Sequence, residues 1–261
     1  MNSFFADYSD FANIGLQKKD LVFYELTDST NTRAREAFLE HGKNAPKVFV
    51  ARRQSAGRGT RERSFESEEG GLYFSLLYEI PEGEFDQTGI TPVAAAAALD
   101  AIVSIIGRRA SKGLIIKWVN DLYFGGKKIA GILSEKISSA EGSAYIIGIG
   151  INLSTKGFSP EVSGIAATVE EKTGIKIDPR LLLLRILERL LPALSSPKKS
   201  RLARIYKRKM IRCGTKISVS DPLGVREAEV IGLDSDFHLI VKYENGERVS
   251  LVSGDVSIKI D

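Results

Sequence analysis

The chain has 261 residues, 43% of them apolar, and its 37 Lys and Arg against 33 Asp and Glu leave a net charge of +4. That balance suits one large folded domain, or a large and a small one, and excludes disordered, collagenous and broadly DNA-coating chains. A single cysteine, Cys213, excludes an internal disulfide framework and a cysteine-rich zinc site, and the only histidines, His41 and His238, match no zinc-hydrolase spacing.

In chain order, residues 3–16 read as a short helix or loose arm, without a signal-peptide core because Asp7, Asp10, Lys18, Lys19 and Asp20 are charged. Residues 21–26 read as a strand. Asp28-Ser29-Thr30-Asn31 then offers N-caps for a helix to about His41, stopped by Gly42. Lys47 to Ala51 is a predicted strand, residues 54–71 a long polar loop, and Leu72 to Tyr78 alternates as a strand. Thr91-Pro92 opens a helix through Ala94–Ala98 to Ile106, ending at Gly107. Its apolar run, near residues 92–107, is interrupted by Asp100 and Ser104 and is shorter than the ~20 residues a bilayer requires. No membrane partner is expected, and a cytoplasmic protein is.

Four strands follow: Leu114–Trp118, Asp121–Phe124, Lys128–Lys136 and Ala144–Asn152, with a hairpin turn at Gly125-Gly126. Residues 179–209 are helical with a break from Pro192 to Pro197. From Gly214, short alternating strands turn at Asp221-Pro222, Asp234-Ser235 and Asn245-Gly246 and read as a small β-barrel. The pattern predicts an α+β chain with an N-terminal arm over 1–20, a catalytic domain over 21–212 and a C-terminal barrel over 213–261.

Two segments carry chemistry. Arg52, Arg53, Arg58, Arg61 and Arg63 fall within twelve positions and are opposed only by Glu62, while Gly57 and Gly59 let the backbone around Arg58 approach a ligand closely. Guanidinium forks match phosphate and carboxylate oxygens, so the loop reads either as a nucleotide clamp or as a solvated basic loop. There is no G-x-x-x-x-G-K-[ST] sequence, and Gly148-Ile-Gly150 is not a dinucleotide fingerprint. The second segment is Lys117-Trp118-Val119-Asn120-Asp121 followed by Lys127-Lys128-Ile129-Ala130-Gly131. Asn120 and Asp121 are hard-oxygen ligands suited to Mg²⁺, or simply turn residues. Lys128 is placed to hold a carboxylate against a phosphate, or is simply a charged strand edge.

Taken together, Asp28-Ser-Thr-Asn31, Gln54-Ser-Ala-Gly57-Arg-Gly-Thr-Arg-Glu-Arg63-Ser-Phe65, Gly70-Gly-Leu-Tyr-Phe-Ser75, Lys117-Trp-Val-Asn-Asp-Leu122, Lys128-Ile-Ala-Gly-Ile-Leu133 and Gly148-Ile-Gly-Ile-Asn152 resemble the biotin protein ligases, over roughly residues 21–261. The resemblance implies a mixed central sheet flanked by helices, of the class II synthetase-like or biotin–lipoate ligase-like kind, with an SH3-like barrel at the C-terminus. It implies ATP, biotin and Mg²⁺ as cofactors, biotinyl-5′-adenylate as the intermediate, and a biotin carboxyl carrier protein as partner.

By that resemblance, Ser29, Thr30, Asn31 and Gln54 would hydrogen-bond the biotin ureido group, and Gly57, Arg58, Gly59 and Thr60 would approach biotin and the phosphate. Lys128 would bridge the biotin carboxylate and the α-phosphate, with Arg58 and Asp121 as further catalytic residues. Gly131, Gly148 and Gly150 would line the biotin slot. Arg61, Arg63, Phe65, Lys117, Asn120 and Asn152 would serve ATP, with Phe65 near adenine, and Asp121 and Asn120 would hold the metal. Asp121 is also the candidate base for the acceptor lysine.

The chain departs from the family pattern at Thr60 (usually Arg), Glu62 (Gly), Phe65 (Trp) and Val119 (Pro). Thr60 and Glu62 remove one positive charge and add a negative one beside the phosphates, which predicts looser retention of the adenylate. About twenty residues precede the first predicted strand, too few for the DNA-binding domain some relatives carry, so no DNA partner is expected; a homodimer through the central sheet is possible. The rival readings are a lipoate or octanoate ligase and, from another class, a nucleic-acid-binding module. The basic run Lys198-Lys199, Arg201, Arg204, Lys207-Arg208-Lys209 and Arg212 is a patch for an acidic carrier protein or nucleic acid, or a solvated helix face.

Overall fold

The computed structural model describes residue 4 and residues 8–60, 63–80, 89–140, 142–221, 224–252 and 255–258. The elements are α1 (Ser9–Ala12), β1 (Leu21–Thr27), α2 (Thr30–His41), β2 (Val48–Gln54), β3 (Gly71–Glu79), α3 (Ile90–Ala110), β4 (Leu114–Lys117), β5 (Asp121–Phe124), β6 (Lys127–Ser139) and β7 (Gly142–Asn152). They continue with α4 (Pro160–Ser163), α5 (Val169–Thr173), α6 (Pro179–Leu194), α7 (Arg201–Lys209), β8 (Lys216–Asp221), β9 (Gly224–Leu233), β10 (Leu239–Tyr243), β11 (Arg248–Leu251) and β12 (Asp255–Ile258). Short helices α4 and α5 fall in a stretch where the sequence predicted nothing regular. Pro192 lies inside α6 rather than ending it.

Seven strands form one mixed sheet in the order β1-β2-β3-β7-β6-β5-β4, in which only β1 and β2 pair in parallel. Helix α2 packs on one face, over a small apolar cluster that includes Ala34, Phe38, Phe49, Leu77 and Ile146. Helices α3, α6 and α7 belong to the larger core, with Ala94 to Ala98 each fully buried. Small side chains in that run let the α3 backbone approach its neighbours closely. The α3 window is apolar enough to cross a membrane by length and composition, yet 67% of it is buried inside the protein. Its backbone breaks at Gly107 (φ 82°), the residue at which the sequence predicted it to stop. Gly125 (φ 53°) and Gly126 (φ 79°) make the tight β5–β6 turn, a conformation that side chains with a Cβ resist.

The C-terminal strands form a five-stranded antiparallel sheet, β11-β10-β9-β8-β12. Its interior, from Ile217 and Val219 to Val241 and Leu251, is continuous with the main core. The link is specific. Trp118 Nε1 donates to the Phe237 carbonyl (2.8 Å), the Tyr206 ring meets the Phe237 ring edge-on (5.5 Å), and Tyr206 Oη donates to the Val119 carbonyl (3.0 Å). Phe237 is itself held at φ 65°, a region costly for a bulky residue. The barrel thus buttresses the turn that carries Asn120 and Asp121.

Candidate active site

Residues 54–60 and 63–67, read from sequence as part of a loop, fold into a ribbon. Gln54 pairs with Ser67, Phe65 N–H donates to Gly57 O (2.8 Å), Arg58 pairs with Ser64, and Gly59 N–H donates to Arg63 O (2.7 Å). Backbone pairing explains why so polar a stretch is ordered: each strand of the ribbon satisfies the other's donors and acceptors. Arg61 and Glu62 lie outside the described residues.

The ribbon folds over the middle of the sheet. On β6 and β7, Gly131 faces Gly150 and Leu133 faces Gly148; on β3, Tyr73 faces Gly150 and Ser75 faces Gly148. Because side chains alternate, Gly131, Gly148 and Gly150 form a bare strip of backbone on one face. A Cβ on Gly148 would come within 2.9 Å of Asn31 Cγ, and one on Gly150 within 2.7 Å of the Phe65 ring. Only glycine permits both approaches.

A hydrogen-bonded chain runs along one side of this strip. Thr30 N–H, at the start of α2, donates to Gln54 Oε1 (2.8 Å), so a residue from β2 does the capping and the Ser29 side chain makes no capping bond. Gln54 Nε2 donates to Ser67 Oγ (2.7 Å). Buried Ser75 lies 2.6 Å from Asn31 Oδ1 and 2.8 Å from Thr30 Oγ1. The Asn31 side-chain carbonyl is an acceptor only, so Ser75 donates to it, and the Thr30 hydroxyl donates to Gln54 Oε1 (3.1 Å). Asn31 Nδ2 donates to Glu135 Oε2 (2.8 Å), and Glu135 also binds Arg58 (3.1 Å) and Arg35 (3.1 Å). Sequence reading missed Glu135 and Ser75. The period-two alternation of β6, with Gly131, Leu133 and Glu135 on one face, was the signal available for Glu135.

Ser29, Thr30, Asn31, Gln54, Arg58, Gly59, Thr60, Phe65, Asn120, Lys128, Gly131, Gly148 and Gly150 all line this slot. Gly57 stands beside it, on the ribbon. Phe65 fills much of the slot, leaving about 40 Å³ open, well below the ~300 Å³ at which small-molecule pockets begin.

Beyond Phe65 and Lys128 lies a second cavity of 460 Å³. Arg63, Lys117, Asn120, Asp121 and Asn152 line it, with Thr60, Phe65 and Lys128 on the shared wall. Phe158 and Ile165, from the segment after β7, and Val252 and Val256, from the barrel, complete its walls and escaped the sequence reading. Lys128 Nζ is 2.7 Å from Asp121 Oδ1. Burial holds the Lys117 ammonium below the usual lysine range; Asp121 opposes this, and Lys128 and Arg63 add to it. Crowded cations of this kind suit a polyanion. Burial and Asp121 together push the Tyr123 hydroxyl up to about 12. Asn152 Oδ1 is buried without a hydrogen-bond partner among the described residues, and buried Asp121 Oδ1 is met there by the Lys128 ammonium alone. Hard, under-satisfied oxygens beside a phosphate-sized cationic pocket fit a magnesium ion.

His41 ends α2, and His238 Nδ1 lies 2.8 Å from Asp234 Oδ2 in the barrel; neither reaches the site. Residues 23–152, half of the chain, match the biotin/lipoate A/B protein ligase family. The chain belongs to that family. Among members of this ligase family, it is 35% identical over 166 residues to the bifunctional ligase/repressor BirA of Bacillus spizizenii, an alignment covering 60% of this chain and 48% of the relative. It is 36% identical over 162 residues to the biotin–[acetyl-CoA-carboxylase] ligase of Paracoccus denitrificans, covering 59% and 64%. The matches therefore span about half to two thirds of these curated relatives. In fold, the chain is similar to the biotin protein ligase of Aquifex aeolicus solved with biotin and ATP, at a TM-score of 0.75 and 29% identity over 92% of this chain and 99% of that one.

Proposed function

We propose that the chain is a biotin protein ligase, which joins biotin and ATP into biotinyl-5′-adenylate with release of pyrophosphate and then passes the biotinyl group to one lysine of a biotin carboxyl carrier protein. The observation that carries this reading is a glycine-walled slot that meets a cationic cavity at Lys128. A compact fused bicycle with a planar ureido ring needs bare backbone on its flanks. Its ureido group offers one acceptor and two donors, which the Ser29, Thr30, Asn31 and Gln54 groups at the slot can match, whereas a dithiolane ring has none. This favours biotin over lipoate.

The biotin carboxylate is ionised at neutral pH, so its attack on the α-phosphorus needs no general base. One carboxylate oxygen bonds to phosphorus as the bond to pyrophosphate breaks. Lys128, on the wall between the cavities, neutralises both reacting groups, and Arg63 and Lys117 offset the charge of the departing phosphates. Asp121, Asn120 and Asn152 would hold Mg²⁺, which supplies further charge cancellation. In the second half-reaction the acceptor amine attacks the acyl carbon and AMP leaves, with Asp121 as the candidate proton acceptor. Phe65 must swing out of the slot for biotin to enter, taking the ribbon with it, and Arg58 must exchange Glu135 for substrate oxygens. The reading includes no DNA partner, and a dimer through the central sheet is open to measurement by light scattering.

Biotin-dependent release of pyrophosphate from ATP is the test. Wild type is expected to release it, and Lys128→Ala to do so about 10²–10³-fold more slowly. No release by wild type with biotin, or release with lipoate alone, would falsify the assignment.

A further inference from the structure

The basic run after α6, which the catalytic reading leaves unused, is completed in three dimensions by a second one. The C-terminal end of α3 brings Arg108, Arg109 and Lys112 to face Arg208, Lys209 and Arg212 across a cleft of 720 Å³. A seventh cation, Arg201, also lines it and is paired with Asp100 (3.0 Å), which Arg189 holds as well (3.0 Å). None of the other six is paired with an acidic group among the described residues. Elsewhere on this nearly neutral chain arginines commonly find carboxylates, as Arg33, Arg52 and Arg185 do. Six unneutralised cations in one concavity concentrate positive potential there.

The floor of the cleft is aliphatic. Leu99, Leu114, Ile205 and Met210 are buried beneath it, and Val103 and Ile115 flank it. Among the described residues it contains no aromatic side chain on which a base could stack, which disfavours single-stranded nucleic acid. Guanidinium forks around an aliphatic floor match a protein segment that presents carboxylates and small apolar side chains together. The cleft also has a defined relation to the active site. Its floor residue Leu114 and the flanking Ile115 begin β4, and Lys117, the last residue of the same strand, lines the nucleotide cavity. Three residue steps along the strand, from Leu114 to Lys117, span about 10 Å.

We propose that this cleft docks an acidic, aliphatic-bearing segment of the acceptor protein, on the edge strand that leads to the reaction centre. The proposal rests on the ligase reading for the identity of the partner, but not for the chemistry of the cleft. The decisive variant is the double substitution Arg109→Glu and Arg212→Glu, both at exposed positions outside the catalytic machinery. Biotin- and ATP-dependent pyrophosphate release without acceptor should be unchanged. KM for the acceptor domain should rise about tenfold at low salt with kcat retained, and the difference should shrink as NaCl is raised. Fluorescent poly-L-glutamate should bind wild type and lose about tenfold in affinity for the variant. An unchanged acceptor KM overturns the proposal, as does tighter binding of an oligonucleotide than of poly-L-glutamate. Should wild type release no pyrophosphate, the ligase reading fails, and the poly-L-glutamate comparison still decides the cleft.

Discussion

Trp118 is the only tryptophan in the chain, and its indole N–H is spent on the Phe237 carbonyl, 119 residues away. Trp118→Phe keeps an aromatic ring in place and deletes the donor. The buried carbonyl then loses its partner, at about 1–3 kcal/mol. The missing part of the ring leaves a void worth about 1 kcal/mol more. The expected loss is therefore about 2–4 kcal/mol. At about 2 °C per kcal/mol for a chain of this size, the melting temperature should fall by about 4–8 °C. Circular dichroism is the appropriate assay, because the variant has no tryptophan fluorescence. A second consequence is local. With the barrel no longer fixed behind the Asn120-Asp121 turn, KM for ATP should rise while biotin affinity stays near wild type. A melting temperature within about 1 °C of wild type would refute the claim that this bond fastens the barrel.

Other outcomes follow from the same geometry. Gly148→Ala drives a methyl group into Asn31, which Ser75 and Glu135 hold from both sides, so KM for biotin should rise tenfold or more, about 1.4 kcal/mol, with KM for ATP little changed; equal KM values would place Asn31 outside the slot. Thr60→Arg restores a cation on the wall shared by both cavities and should slow release of the adenylate, measured by filter retention; equal release rates would sink the idea. Burial pushes the Tyr73 hydroxyl from 10.0 up to about 12, so in alkali the unfolded chain loses that proton first. Stability is full below pH 10 and falls between pH 10 and 12, by up to roughly 3 kcal/mol from this group. Alkaline denaturation of Tyr73→Phe should lack that increment, and an identical pH profile would show that the hydroxyl ionises freely.

Much of the architecture was legible in the residues. Gly42, Gly107 and the Gly125-Gly126 pair end or turn elements where predicted, because a positive φ is a local property of the backbone and glycine adopts it most readily. Strand alternation located the sheet, and the charge pattern located the arginine ribbon. Pro192 misled, since a proline near the end of a long apolar helix can be accommodated there once burial of Leu187, Leu190 and Leu194 holds the helix together. The short helices α4 and α5 gave no signal because four or five residues are too few for a period to emerge.

The sequence by itself settled which residues are available: glycines for a thin-walled slot, arginines and lysines for anions, and almost no histidine or cysteine to suggest other chemistry. Tertiary structure alone decided how they meet. The register of β3, β7 and β6 lines up Gly131, Gly148 and Gly150 with Tyr73 and Ser75, and it sets Glu135 where Asn31, Arg35 and Arg58 converge. Docking of the barrel ties Phe237 to Trp118, and packing of α7 beside α3 gathers two separate basic runs into one cleft. The physical reason is range. Turns, caps and alternation depend on neighbours a few residues apart, whereas strand register and helix packing are fixed by burial of the whole core, which no local stretch encodes.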